Sequence, residues 1–253
     1  MKFPSTVLSG LLFYICTAVP VYGQAVGFGC LGFVGGFGGY SFQRYNPTGL
    51  NQYVNSYNLM QGDSLTTPMG KFGTAKGYRV GLNFFRANIE GFILTTKGYY
   101  QFLSEKHEST LETAAGSSSA DFEIEMKNWG IGVDLGTSIT KALSWKVIDA
   151  ALLYSSAVFS DTRNYPNAVT ELNKYSSEAS TFGYSIGTGF ILELIDEYVS
   201  LEGLAGYTVF NIDKVQSNGN FLTVDERSSE PMQNFIESGG FNAVLQLNIG
   251  FPL

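Results

Sequence analysis

The chain ends Gly239-Gly-Phe-Asn-Ala-Val-Leu-Gln-Leu-Asn-Ile-Gly-Phe-Pro-Leu253, and this stretch decides the fold. Its odd positions carry Phe241, Ala243, Leu245, Leu247, Ile249, Phe251 and Leu253; its even positions carry Asn242, Val244, Gln246, Asn248, Gly250 and Pro252. Successive side chains of a strand point to opposite faces, so one face here is apolar and the other mostly polar or small. An apolar face that stays aromatic toward the chain end suits the closing strand of a membrane barrel, with lipid outside and a packed polar lumen inside.

Seven further segments alternate in the same way. The eight run Gly27–Phe42, Gly77–Arg86, Glu90–Leu103, Asp121–Thr137, Ser144–Phe159, Thr181–Leu194, Tyr198–Asn211 and Ile236–Phe251. Each is long enough for a tilted membrane strand of roughly 9–11 residues. Short connections, Ala87-Asn88, Ser138–Leu143 and Ile195–Glu197, alternate with long polar ones, Gln43–Lys76, Ser104–Ala120, Ser160–Ser180 and Ile212–Phe235. This long–short alternation is expected of an up-and-down barrel with tight periplasmic turns and larger extracellular loops. The expected fold is therefore an all-β, eight-stranded antiparallel transmembrane barrel. One helix is expected in the first long loop, from Thr48 to Tyr57, because Leu50, Tyr53, Val54 and Tyr57 recur at helical spacing after Pro47. Its stripe reads first as a lid packed on the barrel rim, and second as a partner-binding surface.

Composition agrees. The 253 residues are 44% hydrophobic, 15% aromatic and 15% charged, with 30 Gly and a net charge of −7. Ordinary globular chains carry about 25% charged residues and about 7% Gly, so this chain is charge-poor and rich in Gly and aromatics. No Lys/Arg cluster offers a nucleic-acid surface. Residues 1–23 read as a cleaved secretory signal: Lys2, then the apolar run Val7–Val19, then Val21-Tyr-Gly23. A membrane anchor there would be short and ended early by Pro20 and Gly23. Cys16 has no small residue before it, so no lipoprotein is expected, and cleavage leaves Cys30 alone as a buried or lipid-facing hydrophobe. The barrel domain is then 24–253.

Alternation alone does not separate a membrane barrel from a soluble ligand carrier, so the character of the second face decides. That face carries Arg79, Gly81 and Asn83; Thr95, Lys97, Tyr99 and Gln101; Asn128, Gly130, Gly132, Asp134 and Gly136; Gly183, Ser185, Gly187 and Gly189; Ser200, Glu202, Leu204, Gly206 and Thr208; and Asn242, Gln246 and Asn248. A solvated sheet would be dense in Lys and Glu; this set is dense in Gly, as in a narrow packed bore. On the fifth segment Ile148, Ala150, Leu152 and Tyr154 are placed outward so that Asp149 avoids lipid. The inward charges Arg79, Lys97, Asp134, Asp149 and Glu202 are expected to pair, since isolated ions in a lumen are costly. Eight strands leave a bore that side chains can fill, so the paired charges would plug it. Phe122, Ile124 and Met126 fall on the opposite parity to the lipid face of their strand, which calls for a bulge or for a strand continuing beyond the membrane.

Three motifs invite chemistry. Gly27-Phe-Gly29-Cys-Leu-Gly32 spells a dinucleotide fingerprint but lacks the strand–turn–helix setting it needs. Gly183-Tyr-Ser185-Ile-Gly187 spells a nucleophile elbow inside an alternating strand, with the only His upstream. His107-Glu108-Ser109 resembles the His-x-Ser element of outer-membrane lipid A deacylases, with Glu105, Glu108 and Glu112 as candidate orienting acids. Its charged surroundings favour a surface histidine over catalysis. One His and one mature Cys make no metal cluster.

Signal, strand number, loop asymmetry and closing strand together resemble the small bacterial outer-membrane β-barrel family, of the OmpA-barrel and OmpX kind. The resemblance implies an outer-membrane location, insertion by the barrel assembly machinery, contact with outer-membrane lipids and lipopolysaccharide, no cofactor, and a non-enzymatic structural or surface-interaction role. A lipid-modifying hydrolase using His107 and Ser109, or a narrow channel, is the alternative. The ending Phe251-Pro-Leu253 departs from the family pattern, its final aromatic standing two residues early.

Overall fold

Alternating Phe, Tyr, Val and Leu with Gly and small polar residues favours extended chain, and extended chain dominates the protein. In a computed structural model, described for residues 35–250 apart from 90, 114–115, 167–168, 196–197 and 226–229, eight strands follow one another as an antiparallel meander. They are β1 (Gly35–Arg44), β2 (Thr74–Ile89), β3 (Phe92–Thr113), β4 (Gly116–Ser138), β5 (Leu143–Asn164), β6 (Thr181–Ile195), β7 (Val199–Val209) and β8 (Phe241–Gly250). Each pairs with the next, and β8 returns to β1 with Gly38 opposite Leu247 and Tyr40 opposite Leu245. Closure removes the unpaired edge, the condition for crossing a bilayer with strands. Among the described residues no helix is long and apolar enough to cross. The segment 1–23, Cys30, the 27–32 glycine run, Phe251 and Leu253 lie outside the described residues.

The helix, α1 (Thr48–Gln61), starts where its spacing indicates but runs a turn further, ending at Gly62 with φ +48°. Pro47 stands at its N-cap position. Three expected loops also change. Ser104–Ala120 is not a loop: the ladder continues unbroken from Phe102↔Lys127 to Thr113↔Gly116. Its outward side chains, Lys106, Glu108, Glu112, Asp121, Glu123 and Glu125, are polar because water has replaced lipid outside the wall; that polarity makes the stretch read as a loop. Within Ser160–Ser180, Glu171–Ser177 forms a strand on the upper part of β5. Within Ile212–Phe235, Val215–Ser217 and Asn220–Phe221 extend that sheet. The eighth strand begins at Phe241, not Ile236; Ile236 instead bridges Ile212 and is fully buried.

Phe122, Ile124 and Met126 share the inward face of β4 with Asn128 and Gly130, without a bulge. The strand simply outlasts the membrane. A bulge does occur in β5, where Leu135↔Ile148 is followed by Gly136↔Lys146. Two residues facing one reverse the local parity, turning Trp145 outward and Lys146 into the bore.

Candidate functional site

The outer wall carries a belt of lipid character. Tyr40, Tyr78, Tyr100, Trp129, Tyr154, Tyr184, Tyr207 and Phe241 ring its upper edge, Trp129 being 61% exposed. Phe92, Trp145, Phe190 and Tyr198 ring the end with the short turns. Between them stand Val80, Leu82, Ile131, Val133, Leu152, Ile186, Leu245, Leu247 and Ile249, all exposed. Water would not tolerate so continuous an apolar band on a monomeric surface. A closed barrel with an apolar band between two aromatic girdles and a polar bore is an outer-membrane barrel. Phe241, Leu245, Leu247 and Ile249 of β8 face outward in it.

Inside the belt the bore is filled. Lys97 of β3 lies 2.7 Å from Asp134 of β4 and bonds Asp149 of β5; Lys146 lies 2.8 Å from Asp134, 3.7 Å from Asp149, and bonds Glu202 of β7. Lys97 is 1% exposed. Asn248 donates to Glu202 at 2.9 Å and receives Gln246 at 2.9 Å. One layer up, the Arg79 guanidinium sits 3.6 Å from the Tyr99 ring centre and 5.8 Å from that of Phe37. These rings fit because glycines face them: a β-carbon at Gly130 would stand 2.2 Å from Tyr99, and one at Gly81 2.3 Å from Phe37. Asn128 then bonds Gln101 at 3.2 Å. A vestibule of about 110 Å³ opens at the short-turn end with Lys97, Asp134, Lys146 and Glu202 in its lining, and a void of about 20 Å³ lies beside Arg79. Lys97, Asp134, Asp149 and Glu202 thus lie in one network with Lys146, which the spacing overlooked, whereas Arg79 faces inward as expected but sits on the Tyr99 and Phe37 rings instead of in an ion pair. The signal for Lys146 was present: a lysine on the parity of Ile148, Ala150 and Leu152 would stand in lipid.

Above the belt the same cylinder holds a hydrophobic core, which we term the dome. From β4 and β5 come Phe122, Ile124, Met126, Ala157 and Phe159; from α1, Leu50, Val54 and Tyr57; from the last loop, Phe210, Ile212, Leu222, Met232, Phe235 and Ile236. Phe122 packs at 5.0 Å from Tyr57 and 5.6 Å from Phe159. The helix is tied down twice. Asn51 exchanges two 2.9 Å bonds with the backbone of Phe72, and Asn58 does the same with Met69 at 2.9 and 3.0 Å.

Buried carboxylates anchor the dome. Glu105 accepts from the Tyr45 hydroxyl (2.7 Å), from the Gly73 and Thr74 amides (3.0 and 2.8 Å) and contacts His107 Nε2 (3.0 Å). Asp161 accepts from Tyr53 (2.8 Å) and Arg163 (2.9 Å). Burial, then the adjacent Glu105 carboxylate, raises the Tyr45 phenol well above its ordinary range; burial, then Asp161, does so for Tyr53. Salt pairing with Asp161 raises Arg163 despite burial.

His107 and Ser109 both point into this dome, yet they do not form a hydrolase pair. His107 turns to Glu105 and stacks edge-on against Phe72 at 4.6 Å, while the Ser109 hydroxyl, fully buried beneath α1, bonds Tyr57 at 2.9 Å. A nucleophile needs its base within hydrogen-bond reach and a route for substrate; Ser109 has neither.

No protein-family model and no curated protein matches the sequence. Solved structures do. Ail, the attachment invasion locus protein of Yersinia pestis, solved with the heparin analogue sucrose octasulfate, is 10% identical, with a TM-score of 0.38 over 87% of this chain and 98% of Ail. Neisserial surface protein A is 9% identical, with a TM-score of 0.40 over 86% of this chain and 97% of that protein.

Proposed function

We propose that this chain is a non-enzymatic surface protein whose extracellular dome, not its bore, meets the partner. The observation that carries this reading is the length of β3, β4 and β5 above the upper girdle. From Tyr100 to Thr113 the wall climbs 13 residues, which at the usual rise and tilt is roughly 30 Å. The dome core and α1 brace that wall into a rigid platform, a costly thing to build if the barrel served only as a plug in the membrane. Polar side chains cover it outside, and the tip carries Tyr165, Val169 and Leu172 exposed.

In this reading Arg79, Lys97, Asp134, Asp149 and Glu202, joined by Lys146, serve as a structural plug. The resemblance to small outer-membrane barrels supports removal of the segment 1–23, insertion by the barrel assembly machinery and a surrounding of outer-membrane lipids. The test is complementation of a deletion strain by a chain trimmed between Ser104 and Ala120 and between Ser160 and Ser180. The trimmed barrel should still shift in mobility on boiling, while losing whatever surface binding the full chain confers; full binding by the trimmed chain would refute the proposal. Stepwise single-channel conductance from the purified protein would favour a channel instead. Altered lipid A in cells carrying His107→Ala would favour the hydrolase.

A further inference from the structure

The vestibule at the short-turn end of the bore has an unbalanced floor. One connected set of ion pairs closes it: Lys97 with Asp134 and Asp149, and Lys146 with Asp134, Asp149 and Glu202. That set holds two ammonium groups against three carboxylates, so it carries one negative charge in excess. Arg79, the next cation up the bore, lies on the Tyr99 ring and is not part of the vestibule lining. A free acceptor stands beside the excess charge. Gln246 of β8 is the direct strand partner of Glu202 of β7, lines the vestibule and is 3% exposed. Its amide nitrogen donates to Asn248 at 2.9 Å, whereas its Oε1 receives no hydrogen bond among the described residues. A buried acceptor without a donor is costly, and this one faces a cup that opens to the periplasm.

Toward the mouth the lining turns mixed, with hydroxyls from Thr95, Ser144 and Ser200 and apolar surface from Ile93 and Ile191. At the rim Arg86 and Glu193 add one charge of each sign, so the excess at the floor stands. The volume of about 110 Å³ is several times the roughly 10–15 Å³ that a single water occupies, so the cup admits a molecule of several non-hydrogen atoms. We propose that it binds a small organic ammonium ion from the periplasmic side. The ammonium donates to Gln246 Oε1 and to Glu202, and its carbon chain lies along Ile93 and Ile191. An ammonium group carries three donors, no acceptor and one positive charge, which matches a free carbonyl oxygen beside an uncompensated carboxylate. An anion would add to the excess charge, and Lys97 and Lys146 are already committed to carboxylates. The ion-pair plug stays intact as the floor of the site, and the inference does not depend on what the dome binds.

The test follows the Asn248 side-chain amide signal by NMR in the full-length folded protein in neutral detergent. Butylammonium chloride, butan-1-ol and sodium chloride are titrated separately. Three proteins are compared: the unaltered chain, Gln246→Met, and Lys174→Gln as a control on the exposed dome strand. Folding is checked by mobility before and after boiling. Butylammonium should shift the signal saturably, with butan-1-ol and sodium at least about tenfold weaker, since a hydrogen bond from a charged donor is worth roughly a factor of ten or more. Gln246→Met should weaken butylammonium binding about tenfold, and the control should match the unaltered chain. No saturable shift, equal binding of the alcohol, or no loss in Gln246→Met overturns the proposal. Sodium bound as tightly as butylammonium overturns it as well, because the site would then take a bare ion. Should Gln246→Met lack the folded mobility, the ranking of the three probes on the unaltered chain decides.

Discussion

The bore below the upper girdle and the dome above it share one wall, and their chemistry is inverted. Below, Asn128, Gly130, Gly132 and Asp134 of β4 face inward while Trp129, Ile131 and Val133 face out; above, Phe122, Ile124 and Met126 face inward while Asp121, Glu123 and Glu125 face out. The parity of the strand never changes. What changes is the solvent outside it, from lipid to water, and the interior takes the opposite character. The lesson is that a side chain's direction comes from the backbone, whereas its polarity records which medium lies beyond the wall.

Two interiors so different should fail differently. In the bore the charges are mutually dependent, so removing one strands another. Lys97→Met leaves Asp149 without its closest partner, and breaking such a buried pair costs about 3–5 kcal/mol. The loss should appear in urea unfolding of the whole barrel in vesicles. The double change Lys97→Met/Asp149→Leu should recover at least half of it, because a well-packed apolar pair is no worse than the ions it replaces. If the single and double variants are equally unstable, the plug is held by packing and not by charge.

The dome should yield locally. Phe122 is fully buried against Tyr57, Tyr53 and Phe159, and Phe122→Ala should remove about 3 kcal/mol from dome packing. Limited proteolysis should then cut residues 160–180 and 212–235 far faster, while the boiling-dependent mobility shift of the barrel persists. Global unfolding in step with the dome would show that the two storeys are one cooperative unit. A smaller change tests the helix clasp. Asn51→Ala and Asn58→Ala each orphan a backbone amide and a carbonyl in the segment 69–72, at about 1 kcal/mol or more apiece. Faster hydrogen exchange should follow at Met69 and Phe72 but not in β6 or β7.

The bore was largely readable from the chain, because a lipid belt enforces alternation: inward Gly130, Gly132 and Asp134, for example, lie between outward Trp129, Ile131, Val133 and Leu135. Lys146 escaped that reading because the β5 bulge reverses parity for a few residues, and the one mark it leaves in the chain is a lysine on the lipid parity of Ile148, Ala150 and Leu152. The dome was harder. Outside the membrane the outward face is Lys, Glu and Ser, so β3 and β4 above Leu103 look like solvated loop although their ladder is intact. The Asn51–Phe72 and Asn58–Met69 pairings link residues 21 and 11 apart through space, and asparagines on a helix give no hint of such partners. His107 and Ser109 illustrate the same limit: spacing put them on one face of a strand, while only packing revealed that Tyr57 holds the serine and Glu105 the histidine.

The mildest prediction separates the two storeys by pH alone. Tyr45 and Tyr53 lie in the dome, outside the lipid belt, and both are held neutral well above the ordinary phenol value of about 10, first by burial and then by Glu105 and Asp161 respectively. A raised folded-state value means that the neutral form favours folding. The stabilisation is complete below about pH 10 and is lost as pH rises, because the unfolded dome releases its phenolic protons while the folded dome keeps them. Dome opening, followed by proteolysis or by hydrogen exchange at Phe122 and Phe159, should therefore accelerate between pH 10 and 11 while the barrel's mobility shift is unchanged. Tyr45→Phe/Tyr53→Phe removes both ionisable groups, so its dome should lose much of that alkaline dependence. A double variant that opens as steeply as the unaltered chain would place the alkaline sensitivity elsewhere, and the two phenol–carboxylate bonds would then be contacts without a pH role.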